Sequence, residues 1–389
     1  MTDTRANVRR ELASGAHIGR WCEGYAVGWG SQRSLRGYVV AYDRRVKVGS
    51  GVSLFGRDLA IDLGTATTLV HQRGRGVVLD EPTIVAIDAQ SGRLVAAGQP
   101  AYDMVGRTPG NVRTKAPLRD GVITDSQITE AMLRGFVDRV SSSRLLRPRM
   151  VVCVPSGVTA VERKTLEDVA IHCGARQVFV LEEAMAAAIG ADLPVHDAKA
   201  SMVIDVGGGT TDIAIISLGG IVNARSLRVG GSAIDEAIVE GVRDAHDLLL
   251  GERSAETIKL AVGSATPLDV TLSTRVRGRD LSTGLPRTVS LSSVEVGGMI
   301  EPVVQSLIDG VLGVLDLCPP ELSGDLLDGG AVLTGGSAQL LGLDRRLQRE
   351  LGVEVRVAAE PRHAVIRGAG ACVEDFAALR RVLVTASPW

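Results

Sequence analysis

The sequence predicts an α/β protein of two lobes, in which duplicated mixed sheets flanked by helices face each other across a cleft. Three observations support this prediction. The chain has 389 residues, which is more than one compact core usually holds. Strand-like and helix-like segments alternate along it, as is typical of sheets that contain parallel strands. A short acidic, glycine-rich hairpin motif occurs at residues 61–68 and again at 204–211, so two related lobes are expected.

Composition narrows the classes of function. The chain is 45% hydrophobic with a net charge of −2, as expected of a globular protein with a large core. Only 3% of its residues are aromatic, which disfavours the base-stacking surfaces of single-strand nucleic-acid binders. The five cysteines are widely separated. The sequence therefore predicts neither a disulfide framework nor a thiolate metal site, and it favours a reducing cytoplasm.

Residues 1–56 form a basic N-terminal extension. Residues 1–57 contain ten arginine and lysine side chains against four acidic ones. We expect a poorly ordered, solvated tail, with attachment to an anionic membrane surface as the alternative. The extension lacks the continuous apolar core of a signal peptide, and the least charged long window, 200–224, is interrupted by Asp205, Asp212 and a glycine run. No membrane-spanning helix is therefore predicted.

The predicted first lobe covers residues 57–198, with 355–376 packing back on it. Apolar alternation predicts strands and apolar periodicity predicts helices, in this order: a strand–turn–strand unit at 58–70, strands at 77–88 and 93–97, a helix at 124–140, a strand at 150–154, a helix at 160–173, a strand at 177–181 and a helix at 182–189. Gly174 and Gly190 end the last two helices, since glycine is common just beyond a helix C-terminus.

The predicted second lobe covers residues 199–354, follows a linker at 191–200 and includes an insert at about 232–300. Its predicted segments are a strand–glycine turn–strand unit at 201–217, a helix at 254–262, a polar strand-rich stretch at 270–290, a buried strand at 331–333, a turn at 334–337 and a helix at 338–351. Residues 377–389 are predicted to be a C-terminal tail.

The duplicated motif has the chemistry of a phosphate-binding turn. The residues that recur in register are Ile61, Asp62, Gly64, Thr67 and Thr68, matched by Ile204, Asp205, Gly207, Thr210 and Thr211. Glycines let backbone N–H groups approach phosphate oxygens closely, and Asp62 and Asp205 suit a largely hydrated Mg²⁺. One isolated copy could equally be an ordinary hairpin. Two matched copies, in a chain without a Gly-Lys pair and hence without a lysine phosphate loop, favour phosphate binding.

Several motifs resemble a known family. Residues 62–65, 205–210 and 334–337 (DLGT, DVGGGT and TGGS) together resemble the two phosphate motifs and the adenosine motif of the actin, Hsp70 and sugar-kinase superfamily. Five further segments are similar to MreB, the cell-shape actin of rod-shaped bacteria: RTPGN at 107–111, VERK at 161–164, EEAMAAA at 182–188, VRGR at 276–279 and CPPEL at 318–322. The resemblance covers residues 57–376 and implies an actin-like fold with ATP and Mg²⁺ in the cleft.

The resemblance also implies which residues form the site. Phosphate would be held by Thr65, Ala66, Thr67, Gly207, Gly208, Gly209 and Thr210, and ribose and adenine by Glu256, Thr257, Ile258, Lys259, Gly335, Gly336, Ser337 and Ala338. Asp62 and Asp205 would hold Mg²⁺ through water and take part in catalysis with Glu162. Glu162 matches the family residue that positions the attacking water.

Glu162 also has a structural explanation. Thr159 followed three residues later by Glu162 at a helix start is a capping box, and the two roles can coexist. The chain departs from the family pattern at four positions: Thr67 for the usual Asn, Ala184 for Pro, Asp212 for Glu and Ser337 for Gly. Ala184 is expected to be harmless in a helix. A side chain at Ser337 is expected to slow or weaken nucleotide binding, so ATP turnover is a separate expectation from ATP binding.

Two segments are candidates for membrane contact. Leu145 and Leu146 lie among arginines in a loop, and MreB proteins use a similarly placed apolar loop to touch the membrane. The alternative is that these leucines cover the core. The basic extension is the second candidate, but it is absent from the family pattern. Family members commonly begin near the position of Val52, which makes Val52 an alternative start.

The resemblance implies a slow ATPase that polymerises into membrane-associated filaments and organises cell-wall synthesis and cell shape. Its expected partners are further copies of itself, the inner face of the plasma membrane, and cell-wall elongation and membrane anchor proteins, without nucleic acid. A nucleotide-binding scaffold with little hydrolysis is the alternative. A small-molecule kinase is a weaker one because no additional base and substrate pocket are evident. An Hsp70-like chaperone is disfavoured because few residues follow Phe376.

Overall fold

The computed structural model describes residues 58–141, 147–379, 382 and 384–385. The predicted basic extension, and the predicted membrane residues Leu145 and Leu146, lie outside the described residues.

The first of two large sheets is mixed. Its strands lie in the spatial order β19 (Val384–Thr385), β10 (Gln177–Glu182), β9 (Arg149–Val154), β1 (Leu59–Leu63), β2 (Thr67–Gln72) and β3 (Gly76–Pro82). Strand β1 runs antiparallel to β2 and parallel to β9. The short strand β19 belongs to the predicted C-terminal tail and pairs with β10.

Two helices cover the outer face of this sheet, α2 (Ser126–Val140) and α3 (Ala160–His172). The core that they share with β1 and β9 contains Met132 and Phe136 of α2 and Leu166 and Val169 of α3. The same part of the chain carries a small sheet of β5 (Leu94–Ala97), β4 (Val85–Asp88) and β6 (Val112–Lys115), the short helix α1 (Gln99–Asp103), and a hairpin of β7 (Leu118–Arg119) and β8 (Val122–Ile123). We call this assembly the first lobe.

The second large sheet repeats the strand arrangement at the centre of the first. Its order is β13 (Gly220–Leu227), β12 (Thr211–Ser217), β11 (Ser201–Val206), β17 (Ala331–Thr334) and β18 (Val355–Val357). Strand β11 runs antiparallel to β12 and parallel to β17, as β1 does with β2 and β9. The sequence predicts that residues 355–357 pack on the first lobe, but β18 pairs with β17 and so lies at the edge of the second sheet.

Five helices and a small sheet complete the second lobe. The helices are α5 (Gly231–His246), α6 (Glu252–Val262), α7 (Ser293–Leu315), α8 (Pro320–Gly329) and α9 (Leu343–Leu351), and the small sheet contains β14 (Leu248–Leu249), β15 (Ser273–Asp280) and β16 (Pro286–Ser292). Among the described residues, α7 is long and apolar enough to cross a membrane, but Ile300, Val304 and Ile308 on it are buried in the lobe's core, as in a core helix.

The prediction of a helix over 338–351 was wrong at its start. Gly336–Gln339 forms a 3-10 helix, and the α-helix begins at Leu343. Gly342 has a φ of +73°, and this left-handed conformation cannot continue a right-handed helix.

Two helices lie between the sheets and join the lobes. They are α4 (Glu183–Gly190) and α10 (Ala364–Glu374), the latter preceded by a 3-10 helix at Pro361–His363 and followed by α11 (Phe376–Leu379). They cross at glycines, because a Cβ atom added at Gly190 would overlap the backbone of Ala364, and one added at Gly368 would overlap that of Ala186. Their buried residues form one core with the inner faces of both sheets. The two lobes therefore share an apolar base.

Candidate functional site

The two glycine-rich turns close in the same way. The amide of Gly64 donates to the carbonyl oxygen of Thr67 at 3.1 Å, and the amide of Gly207 donates to that of Thr210 at 2.8 Å. The strand pairing also has the same register, since Asp62 and Asp205 each face the residue seven positions later. The repeated sequence motif thus produces two copies of one backbone structure.

The two turns face each other at contact distance. A Cβ atom added to Gly208 would lie 2.5 Å from the Cβ of Ala66, and one added to Gly209 would lie 2.5 Å from Oγ1 of Thr65. Within the described residues, the backbone N–H groups of these four residues have no hydrogen-bond acceptor. Unpaired amides that converge from two turns form an anion-binding cradle. This cradle fits the phosphates of a nucleotide.

The carbonyl groups of both turns are already bound by the protein. Thr83 donates to two carbonyls of the first turn, through its hydroxyl at 2.8 Å and its amide at 2.9 Å. The amides of Gly231 and Ser232, at the start of α5, donate to two carbonyls of the second turn at 3.0 and 2.7 Å. The protein therefore fixes both turns through their carbonyl groups, while the N–H groups at 65–66 and 208–209 stay available to a ligand.

Gly121 was not recognised from the sequence, although it lies where the two hairpins meet. Its amide donates to Oγ1 of Thr65 at 3.0 Å. A Cβ atom on Gly121 would lie 2.9 Å from Cγ of Pro155 and 3.0 Å from Cγ2 of Thr210, and its φ is +75°. The Asp120–Gly121 dipeptide is a turn signal that could have identified this position.

Carboxyl groups concentrate behind the turns. Burial, and secondarily the charge of Asp205, raises the pKa of Asp62 to about 7. Burial raises the pKa of Asp205 to about 6, against the lowering effect of a 2.6 Å hydrogen bond from Thr334. Burial also raises the pKa of Glu183, with Asp212 as the next cause.

A divalent cation would offset this repulsion between carboxylates. The described residues contain no cluster of three or more potential ligands. A Mg²⁺ ion that keeps most of its waters needs only one or two carboxylates from the protein. Asp62 and Asp205, the predicted magnesium residues, fit that arrangement, and their metal role stays a prediction.

Asp212 joins the second hairpin to the first lobe. Its side chain is fully buried, and Oδ1 accepts a 2.7 Å hydrogen bond from the amide of Ser156, which follows β9. Oδ2 of Asp212 and Oγ of Ser156 have no partner within the described residues. Burial raises the pKa of Asp212 to about 7, against the lowering effect of the Ser156 amide. Two buried polar atoms without partners suit a place where ordered water or a hydrated ion lies.

The predicted adenosine turn packs against the second hairpin. Gly335 has a φ of +88°, and a Cβ atom there would overlap the backbone of Val206. The hydroxyl of Ser337 donates to the carbonyl of Gly207 at 2.9 Å. The extra side chain at this position is thus engaged with the protein backbone, and around Gly336 there is open space.

The predicted ribose segment has two faces. Ile258, like Ala338 of the adenosine turn, is buried in the second-lobe core, and the hydroxyl of Thr257 binds a carbonyl within its own helix. Lys259 donates from Nζ to Oδ2 of Asp235 at 2.8 Å and to the backbone at the start of α5 at 3.1 Å. Glu256 and Lys259 are therefore the members of this segment whose polar side-chain groups lie near the second hairpin's supports.

Glu162 forms the predicted capping box, which the structure confirms. The amide and the hydroxyl of Thr159 each donate to Oε2 of Glu162 at 2.8 Å, and the amide of Glu162 donates to Oγ1 of Thr159 at 3.2 Å. These hydrogen bonds lower the pKa of Glu162, so the group stays anionic. Oε1 lies 4.0 Å from the guanidinium of Arg228, and the side chain borders a cavity of about 200 Å³. Its catalytic role stays a prediction.

Comparison with known proteins agrees with this geometry. A family profile described as MreB/Mbl protein matches residues 56–381. The cell shape-determining protein MreB of Escherichia coli is 48% identical over 327 residues, covering 82% of this chain and 94% of the E. coli protein. The cell shape-determining protein Mbl of Bacillus subtilis is 43% identical over 324 residues, covering 83% of this chain and 97% of that protein.

Solved structures show the same architecture. The crystal structure of MreB5 of Spiroplasma citri bound to ADP has a TM-score of 0.79 and 34% sequence identity, covering 83% of this chain and 97% of that chain. A MamK double helical filament has a TM-score of 0.69 at 22% identity, covering 82% of this chain and 99% of that chain, which is a likeness of fold alone.

Proposed function

The chain belongs to the MreB/Mbl family and has an actin-like fold, and from this premise we propose that it binds ATP with Mg²⁺ and polymerises into filaments. In this proposal the filaments lie on the cytoplasmic face of the plasma membrane and organise cell-wall synthesis and cell shape. Hydrolysis of ATP is slow and weakens the contacts between subunits. Head-to-tail contacts of this kind are heterologous, so they extend into an open filament.

One observation carries the nucleotide-binding part of the proposal. The two hairpins meet from opposite lobes, their backbone N–H groups at 65–66 and 208–209 have no acceptor among the described residues, and an aspartate lies near the end of the strand before each turn. Nucleotide-bound relatives add support, since the MreB5 structure of Spiroplasma citri holds ADP.

The proposal gives a role to the amides, the hydroxyls and the aspartates of the two hairpins. The amides at 65–66 and 208–209 bind phosphate oxygens, and the hydroxyls of Thr65 and Thr210 add donors at the junction with Gly121. Asp62 and Asp205 accept hydrogen bonds from the waters of Mg²⁺, which when bound neutralises phosphate charge. Binding across both lobes favours the closed cleft, which couples nucleotide state to assembly.

The proposal is tested on the full chain with Asp205→Asn and a matched control. We expect a fluorescent ATP analogue to bind the unaltered protein with Mg²⁺ and more weakly with EDTA. Asp205→Asn keeps an acceptor for Thr334 but removes charge, so we expect it to lose about tenfold in Mg²⁺-dependent affinity. The exposed Asp328→Asn is the control and is expected to bind normally. Equal binding by all three proteins, with and without Mg²⁺, would contradict the metal role.

Assembly is measured separately by pelleting and negative-stain electron microscopy with ATP, with and without lipid. Filaments that depend on ATP support the proposal. A protein that binds ATP tightly but stays monomeric at high concentration would contradict polymerisation. Turnover that appears only after a small-molecule acceptor is added would favour the kinase alternative.

A scaffold with little hydrolysis is the second candidate, and one observation favours it. Oε2 of Glu162 is already engaged by two donors of Thr159, so only Oε1 is left to orient water. Glutamine at this position retains the capping box, whereas alanine removes it. If Glu162 is catalytic, Glu162→Gln and Glu162→Ala both lose phosphate release, and only the alanine variant loses melting temperature. Unchanged phosphate release in Glu162→Gln would favour the scaffold.

Membrane association is tested on the loop predicted from the sequence. We expect Leu145→Ser/Leu146→Ser to reduce co-flotation with liposomes that contain anionic lipid, because less apolar surface enters the interface. Flotation without nucleotide separates membrane binding from filament pelleting. Unchanged flotation of the double variant would count against the loop.

A further inference from the structure

A single tyrosine connects the lobes beside the candidate nucleotide site. Tyr102 lies in α1 of the first lobe and contacts two residues of α6 in the second lobe. Its hydroxyl donates to Oε2 of Glu256 at 2.7 Å. The guanidinium of Arg253 lies 4.5 Å from the centre of the tyrosine ring, and its Nη1 donates to the Tyr102 carbonyl at 3.4 Å. We call these three residues the Tyr102 clasp.

The position of the clasp relates it to nucleotide binding. Glu256 lies one helical turn before Lys259, and residues three apart share a helix face. Lys259 in turn binds the backbone at the start of α5, whose first amides hold the second hairpin. Glu256 therefore contacts the first lobe from the helix face on which Lys259 contacts the support of the second hairpin.

The clasp is expected to be stronger than two exposed ion pairs that also connect the lobes. Arg119 and Glu236 form an ion pair at 3.9 Å with both side chains about 70% exposed, and Arg228 lies 4.0 Å from Glu162. Exposed pairs at such distances contribute little because solvent screens them. The Tyr102 clasp instead combines a short hydrogen bond to a carboxylate with a cation–π contact in a partly buried setting.

The tyrosine is suited to act as a donor. Burial raises the pKa of Tyr102, and the hydrogen bond and charge of Glu256 raise it further. The phenol accordingly keeps its proton at neutral pH. Within the described residues, Oε1 of Glu256 has no hydrogen-bond partner, so one carboxylate oxygen is held by Tyr102 while the other can accept from a ribose hydroxyl.

We propose that the Tyr102 clasp retains bound nucleotide by holding the lobes together over the cleft and by orienting Glu256 toward the ribose. This inference rests on the proposed nucleotide binding and adds to it a residue that sets the release rate. Nucleotide leaves when the lobes separate, and separation breaks the hydrogen bond and the cation–π contact. Entry of nucleotide into an opened cleft breaks neither contact. Weakening the clasp therefore accelerates dissociation and leaves association nearly unchanged.

The test measures dissociation of a fluorescent ATP analogue from the full chain by stopped flow with excess unlabelled ATP and Mg²⁺. Tyr102→Phe keeps the ring beneath Arg253 but removes the hydroxyl, and we expect release to become about tenfold faster. Arg253→Gln removes the cation and is expected to accelerate release about threefold. Arg119→Gln breaks the exposed ion pair with Glu236 and serves as the matched control with a normal rate.

A coupling measurement tests whether Tyr102 acts through Glu256. In a Glu256→Ala background, Tyr102→Phe is expected to have no further effect on release, since the hydroxyl has lost its acceptor. The melting temperature of the nucleotide-free protein is expected to change little in Tyr102→Phe. Release at the unaltered rate from a Tyr102→Phe protein that still binds nucleotide would overturn the clasp and leave the proposed function standing. If the unaltered protein bound no nucleotide, both would be overturned.

Discussion

Replacing Asp212 with asparagine is expected to stabilise the nucleotide-free protein above pH 7 and to leave its stability near pH 4 unchanged. The amide Oδ1 of asparagine can still accept from the amide of Ser156. The substitution therefore removes a buried charge and keeps the hydrogen bond.

The sign and size of the effect follow from the two pKa values. Burial raises the pKa of Asp212 from 3.8 to about 7 in the folded chain. Below about pH 4 the side chain is protonated in both states and contributes nothing. Between about pH 4 and 7 the unfolded chain releases this proton while the folded chain keeps it, so the free energy of unfolding falls as pH rises. Above pH 7 the accumulated loss is on the order of 4 kcal/mol, and Asp212→Asn removes it.

The assay is urea unfolding followed by circular dichroism at several pH values from 4 to 8.5, with EDTA and no nucleotide. We expect the two free-energy curves to meet near pH 4 and to diverge as pH rises. Asp328→Asn, an exposed aspartate on the same lobe, is the control and is expected to run parallel to the unaltered protein. A constant difference between Asp212→Asn and the unaltered protein across this range would refute the reasoning.

Two further substitutions test the packing that places the site. Ser337→Gly removes the hydroxyl bound to the Gly207 carbonyl, so we expect a loss of about 1 kcal/mol in the free energy of unfolding. The sequence predicts that this side chain weakens nucleotide binding, but because its hydroxyl is held by the protein we now expect little change in nucleotide affinity. A larger affinity change would mean that this side chain meets the nucleotide. Gly368→Ala forces a methyl group into the backbone of Ala186 and is expected to cost about 3 kcal/mol or to prevent folding, measured by denaturant unfolding. Gly135→Ala in α2 is the matched helical control, because a Cβ atom there meets open space. Similar losses in both glycine variants would contradict the close crossing of α4 and α10.

Local signals predicted much of the fold correctly. The two hairpins, the strand β9, the helices α2, α3, α4 and α6, and the capping box at Thr159 and Glu162 lie close to their predicted bounds. Each depends on residues within a few positions of one another, such as a cap, a glycine stop or an apolar alternation.

No helix was predicted from the sequence at 231–246 or at 293–315, where residues that disfavour helices occur. The segment 293–315 carries Gly297, Gly298 and Pro302, yet it forms the single long helix α7 because its apolar residues are buried against the second sheet. Helix α5 begins at Gly231, where its first amides bind the second hairpin. In both cases tertiary packing outweighs local propensity.

The sequence by itself determined the paired turns and their aspartates, because the chemistry of a tight glycine turn is contained in eight consecutive residues and was repeated. Only the tertiary structure decided what surrounds them. Gly121 contacts Thr65, which is 56 positions away in the chain, and Ser156 contacts Asp212 at the same separation. Tyr102 contacts Glu256, which is 154 positions away. Contacts of that range depend on how the two lobes close on their shared base, and no local pattern of side chains specifies that closure.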